Sequence, residues 1–155
     1  MASGIETGHG ARDYLIDLSS GDSKPITPEG VAGAQLSPDG RASVVLGPDG
    51  KWGIWPLDGS GIHLIPGLDA SNNVTGWSPD GGSVYVVSSR LNQRTAKVYQ
   101  VNVATGKVQF WKTFGADVGS GVSSVDGPFL SHDGTAYAYV YTRTLSEAFE
   151  VTGLK

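Results

Sequence analysis

The sequence predicts an all-β protein built from repeated four-stranded antiparallel units, and three observations lead to this prediction. The 155 residues include 23 glycines and 8 prolines, a content typical of many short strands joined by turns. Charged residues make up only 17% of the chain, which disfavours long solvated helices and coiled coils. The third observation is a pair of turn sequences that recur in units of roughly 40 to 45 residues.

The first recurring turn has the sequence Ser-Pro-Asp-Gly and is followed each time by a β-rich run. Aspartate can accept hydrogen bonds from the backbone that follows it, and glycine adopts positive φ without steric cost, as a tight hairpin requires. Histidine replaces proline in the third copy, where aspartate and glycine still carry the turn. The residues that we predict to be structural in these turns are Asp39, Gly40, Asp80, Gly81, Asp133 and Gly134.

The second recurring turn ends in glycine and lies out of phase with the first. Its copies end at Gly21, Gly61 and Gly106, and short apolar segments lie on both sides of each copy. The two turns of a unit therefore separate four strands, which is the sequence signature of a β-propeller blade. The four tryptophans fall on predicted strands, so we expect them to pack between blades.

The strands of each blade are named a to d, from the innermost to the outermost. The sequence predicts about 13 strands, or about three and a quarter blades. A partial first blade covers about 12–27, complete blades cover about 31–66 and 73–112, and a partial last blade covers about 126–152. Residues 1–11 are expected to be a disordered leader or the remnant of a preceding strand, and 12–155 to form the partial propeller. The missing strands would come from the rest of a longer propeller or from a second copy of the chain.

These repeats resemble the WD-like repeats of TolB-type propellers, and related repeats occur in prolyl-oligopeptidase-type and tricorn-like peptidases. The closing stretch, 138–155, is similar to the C-terminal end of such propellers in bacterial receptor-type serine/threonine kinases. The resemblance implies a binding or sensing module and a periplasmic or otherwise extracytoplasmic location.

Charge and motifs exclude several classes of function. A net charge of −4 provides no cationic field for nucleic acid, and the longest apolar run, 136–141, is too short to insert in a membrane. No kinase signature, nucleophile elbow or phosphate loop is present, so any kinase or peptidase activity would lie on another segment. We expect no cofactor. We also expect no metal site, because His9, His63 and His132 fall in a leader, an outer strand and a turn.

Connection lengths indicate which face of the propeller binds a partner. The b–c and d–a connections are longer in the third unit, and both open on the same face of a propeller, where insertions commonly build a binding surface. The candidate binding residues are Arg90, Asn92, Gln93, Arg94, Asp117 and Arg143. The arginine fork suits carboxylate groups, as in an acidic peptide or polymer. The alternative is that these are ordinary solvated loop residues.

The sequence therefore predicts a non-enzymatic module that binds or senses a protein or peptide. We expect it to be the C-terminal portion of a larger bacterial protein such as a receptor kinase. Two alternatives stay open at this point: a propeller that gates the active site of a prolyl-oligopeptidase-like hydrolase, and a half-propeller that closes by homodimerisation.

Overall fold

The computed structural model describes residues 1–88, 94–115, 121–131, 135–150 and 152–153. These residues form strands and no helix, and consequently no helix that is long and apolar enough to cross a membrane. The strands are β1 (Ala2–Gly4), β2 (Arg12–Ile16), β3 (Ser23–Pro25), β4 (Ala32–Leu36), β5 (Ala42–Leu46), β6 (Lys51–Pro56), β7 (His63–Asp69), β8 (Asn73–Trp77), β9 (Ser83–Ser88), β10 (Ala96–Asn102), β11 (Val108–Phe114), β12 (Val122–Leu130) and β13 (Tyr137–Arg143).

The strands form four antiparallel sheets, each made of neighbours in sequence. The first sheet is β1-β2-β3, the two complete blades are β4-β5-β6-β7 and β8-β9-β10-β11, and the last sheet is β12-β13. Strands β4, β8 and β12 begin successive sheets, and β8 contacts both β4 and β12. The sheets therefore lie side by side with their a strands innermost, and the predicted all-β partial propeller is confirmed.

The end sheets differ in strand content from the prediction. The first sheet has three strands rather than two, because Ala2–Gly4 pairs with β2 in the register Ala2↔Tyr14. The last sheet has two strands rather than three, since residues 144–150 lie outside any strand. A strand there would bury little, because among the described residues no blade lies beyond β13.

Two apolar clusters hold the sheets together, one on each side of the second complete blade. Successive residues of a strand point to opposite faces, so Val84 and Val86 of β9 face the preceding blade, whereas Tyr85 and Val87 face the last sheet. Four residues in a row are therefore buried. This continuous apolar run is typical of a strand that is covered on both faces.

Tryptophan indoles join neighbouring sheets by hydrogen bonds. Trp55 Nε1 of the first complete blade donates to the Ile26 carbonyl, 2.9 Å away, just after β3. Trp77 Nε1 of the second complete blade donates to the Gln35 carbonyl of β4 over the same distance. Each indole is half-buried and satisfies its polar group on the adjacent sheet.

Two glycines of the innermost strands provide a matched test of this packing. An added Cβ at Gly33 would clash with the Val44 carbonyl and lie 2.9 Å from Val45 Cα, whereas at Gly76 the nearest described atom is Gln35 Oε1 at 3.9 Å. We expect Gly33→Ala to lower the free energy of unfolding by about 1–3 kcal/mol. Gly76→Ala should change it by less than about 0.5 kcal/mol. Urea denaturation measures both, and equal losses would contradict the packing of β4 against β5.

Candidate functional site

The connections divide the molecule into two faces. The a–b and c–d turns lie on one face, which we name the turn face. The b–c and d–a connections lie on the other, which we name the loop face. Its described residues are 5–11, 26–31, 47–50, 70–72, 94–95, 115, 121 and 144.

On the turn face, the recurring Asp-Gly turns are held by their own hydrogen bonds. Asp80 Oδ1 accepts from Ser78 Oγ at 2.6 Å and from the Gly82 N–H at 3.0 Å. The bond from Ser78 is the main cause that lowers the pKa of Asp80. Gly81 adopts φ 69°, a conformation that favours glycine.

The first complete blade has the same turn. Asp39 Oδ1 accepts from Ser37 Oγ at 2.6 Å and from the Arg41 N–H at 3.1 Å, and Gly40 adopts φ 71°. The bond from Ser37 is likewise the main cause that lowers the pKa of Asp39. These bonds account for aspartate and glycine at both turns. The third pair, Asp133 and Gly134, lies outside the described residues.

The two turns line one cleft between the complete blades. Asp39 and Asp80 border a cleft of about 500 Å³, together with Trp77 and Val103. Each carboxylate is engaged in its own turn. The described residues contain no group of three His, Cys, Asp or Glu side chains that could hold a metal ion.

On the loop face, two of the candidate arginines lie at opposite ends of one d–a connection. A Cβ added at Gly115, where the connection leaves β11, would lie 2.6 Å from the Arg94 carbonyl oxygen. A Cβ added at Gly121, where the connection enters β12, would lie 3.6 Å from Arg143 Cγ and Nε. The b–c and d–a connections are therefore neighbours here. The other candidates, Arg90, Asn92, Gln93 and Asp117, lie outside the described residues.

The first sheet places a charged cluster on the same face. Glu29 Oε1 accepts from Arg12 Nη2 and shares a hydrogen bond with His9 Nδ1, while Glu29 Oε2 accepts from the Gly10 N–H at 3.3 Å. The bond with His9, followed by that from Gly10, lowers the pKa of Glu29 from its ordinary value of 4.5. His9 thus has a defined partner instead of lying in a free leader.

Sequence reasoning missed this cluster because its members come from separate connections. His9 lies on a b–c connection and Glu29 on a d–a connection, the same two kinds of connection that meet at Gly115. Aligning the sequence of the first unit with that of the third would have placed His9 and Glu29 in connections equivalent to those that meet at Gly115.

A buried carboxylate joins the first sheet to the next blade. Asp13 is completely buried, and its Oδ1 accepts from Ser3 Oγ at 2.5 Å and from the Gly33 N–H at 3.1 Å. A buried carboxylate needs such donors to offset the loss of water. This contact fixes the first sheet against β4, so Asp13 has a structural place rather than one on a binding face.

The fold and its two unlike faces define a partial β-propeller with regular turns on one side and charged connections on the other. No family model and no curated protein matches the chain. The crystal structure of TolB from Acinetobacter baumannii is similar to it, with 25% sequence identity and a TM-score of 0.61. The similarity covers 93% of this chain and 35% of the TolB chain. The chain therefore has the TolB-like propeller fold and spans about a third of the length of TolB.

The Glu29 cluster makes stability depend on pH in a defined direction. Because the pKa of Glu29 is lower in the folded state, its stabilisation is present above about pH 4.5 and is lost as the pH falls through the folded-state pKa. We expect wild type to have a higher melting temperature than Glu29→Gln at pH 7, and the difference to shrink as the pH falls through the folded-state pKa of Glu29. A difference that persists unchanged at low pH would contradict this role.

Proposed function

We propose that the chain is a non-enzymatic protein-binding module that takes an acidic peptide segment on its loop face. The observation that carries this proposal is the placement of two exposed arginines, Arg94 and Arg143, at the two ends of the 115–121 connection. Among the described residues neither arginine forms a salt bridge, whereas Arg12 is paired with Glu29. The guanidinium group of each arginine can donate two parallel hydrogen bonds to a carboxylate ligand.

The turn face supports the proposal by contrast. Its aspartates are committed to hydrogen bonds within their own turns, and its connections are short and uniform. On the opposite face, Arg94 and Arg143 flank the two ends of one connection, an arrangement that a single carboxylate-rich segment could contact. The loop face is thus the favoured surface for an acidic partner.

The proposal includes a setting in a larger protein. The similarity of 138–155 to the C-terminal end of propellers in bacterial receptor kinases favours a place at the end of such a protein, outside the cytoplasm. The rest of that polypeptide, or a second copy of the chain, would complete the ring. Reading the whole gene tests this setting. A kinase domain before the propeller would support it, and a hydrolase domain after it would support the gating alternative.

A matched set of arginine variants tests the binding face. In fluorescence anisotropy with a labelled oligoglutamate peptide, the double variant Arg94→Gln/Arg143→Gln should raise Kd about tenfold or more, because charge-assisted hydrogen bonds are lost. The double variant Arg41→Gln/Lys107→Gln makes the same change of charge on the turn face and should leave Kd within about twofold. Equal effects of the two changes, or no binding by wild type, would exclude the loop face as the site.

A further inference from the structure

The last sheet exposes a strand that is buried in both complete blades. Val45 of β5 and Val84 of β9 are completely buried, because strand b has a paired neighbour on each edge and a sheet over each face. Val140 of the corresponding strand, β13, is 57% exposed. Strand β13 pairs only with β12 among the described residues, so its outer edge and one face are uncovered.

The first sheet contains the outer half of a blade that the last sheet lacks. In each of the three sheets that contain strands c and d, one residue of strand c pairs with the residue of strand d that lies eleven positions later in the sequence. These pairs are Tyr14↔Pro25, Gly53↔Leu64 and Tyr99↔Phe110. Tyr14 is therefore the equivalent of Gly53 and Tyr99, and β2 and β3 are strands c and d.

In the first sheet, the short strand β1 occupies the position of strand b. Strand β1 contributes three residues to β2, whereas β9 pairs with β10 over six residues, from Ser83 to Ser88. Leu15 of β2 is 54% exposed beside this short strand. A longer b strand would pair more of β2 and cover more of its side chains.

The two complete blades define the register in which β13 would pair with β2. The sixth residue after the turn aspartate is Val45 in one blade and Val86 in the other, and these pair with Gly53 and Tyr99. The sixth residue after Asp133 is Tyr139. By the same rule Tyr139 pairs with Tyr14, Ala138 with Leu15, and Val140 with Asp13.

In this register, the paired side chains of β13 and β2 point to the same side of the shared blade. Tyr139 packs against Phe114 of the preceding blade, with ring centroids 5.6 Å apart. Because paired residues point to the same face of a sheet, Tyr139 and Tyr14 would both point to that preceding blade. Ala138 and Val140 point the opposite way. Asp13, the partner of Val140, likewise points to the blade that follows it, where it accepts from the Gly33 N–H. The pair Tyr139–Tyr14 would thus have the orientation of Val86–Tyr99, whereas Val140 would replace Ser3 opposite Asp13, whose Oδ1 would keep its hydrogen bond from the Gly33 N–H.

We propose that two copies of the chain close a ring by sharing blades, with β12 and β13 of one copy pairing with β2 and β3 of the other. In this arrangement β13 of one copy displaces β1 of the other copy from its pairing with β2. Each copy supplies two complete blades and half of each shared blade, so the ring has six blades. A second copy is the favoured partner because this chain itself carries the c and d strands in matching register and sidedness. The contact is head-to-tail and closes after two copies.

Sedimentation of the full chain tests this proposal, with two valine variants as a matched pair. Wild type should sediment as a dimer of the 16.1 kDa chain at about 100 µM. Val140→Glu should weaken dimerisation about tenfold or more, because its carboxylate would lie opposite Asp13. Val108→Glu, at a site that is 59% exposed on β11, should leave the dimer intact. A monomeric wild type, or equal effects of both variants, would overturn the proposal.

Cross-linking tests the register independently of any destabilising effect. The chain has no cysteine, so each introduced thiol is unique. Oxidation of a mixture of Leu15→Cys and Ala138→Cys proteins should give a covalent heterodimer, whereas Leu15→Cys mixed with Val108→Cys should not. Absence of the first product, or equal yields of both, would contradict the shared blade. Arg94→Gln changes no residue of β2, β3, β12 or β13, so it should weaken peptide binding and still form the dimer, and failure of ring closure and failure of peptide binding are distinguishable.

Discussion

A blade of this protein is apolar on both faces, and this constraint governs the rest of the structure. The b strand β9 buries Val84 and Val86 against one neighbour and Tyr85 and Val87 against the other. A single blade therefore leaves apolar side chains exposed on both faces of its sheet, and its stability depends on neighbouring blades that pack against those faces. The tryptophan bonds to Ile26 and Gln35 add polar links at the same junctions. Where stacking stops, as at β13, apolar side chains are left in water.

The complete blades could be predicted from sequence because their information is local. Asp39 and Asp80, each followed by glycine, define the a–b hairpins, and the turns that end at Gly61 and Gly106 define the c–d hairpins. For strand β1 the sequence left two alternatives open, a leader and the remnant of a preceding strand, since Ala-Ser-Gly has low β-propensity and pairs only because β2 offers it an edge.

The candidate binding surface was only partly predictable, because it depends on contacts between distant segments. Connection lengths pointed to the loop face, and the structure places Arg94 and Arg143 at the two ends of one connection there. Two partners of Glu29, His9 and Gly10, lie in another connection, and the third, Arg12, begins β2, so no local motif marks them. A repeat identifies equivalent positions in a chain, whereas the packing between units decides which side chains meet.

The turn face and the loop face differ in the contacts that position their charged groups. Hydrogen bonds within the turns saturate the carboxylates of the turn face, and these bonds depend little on neighbouring blades. The loop face combines segments from separate connections, so its charged groups are positioned by the stacking itself. The fold and the arrangement of the charged groups on the loop face thus depend on the same inter-blade contacts.

Nuclear magnetic resonance of the Trp77 indole tests the stacking of blades most directly. Because Trp77 Nε1 donates to the Gln35 carbonyl of the preceding blade, its N–H proton should exchange slowly with D₂O. It should also give nuclear Overhauser cross-peaks to protons of Gln35 and Leu36. Fast exchange, with cross-peaks only to residues of its own sheet, would contradict sideways stacking and with it the whole arrangement of blades.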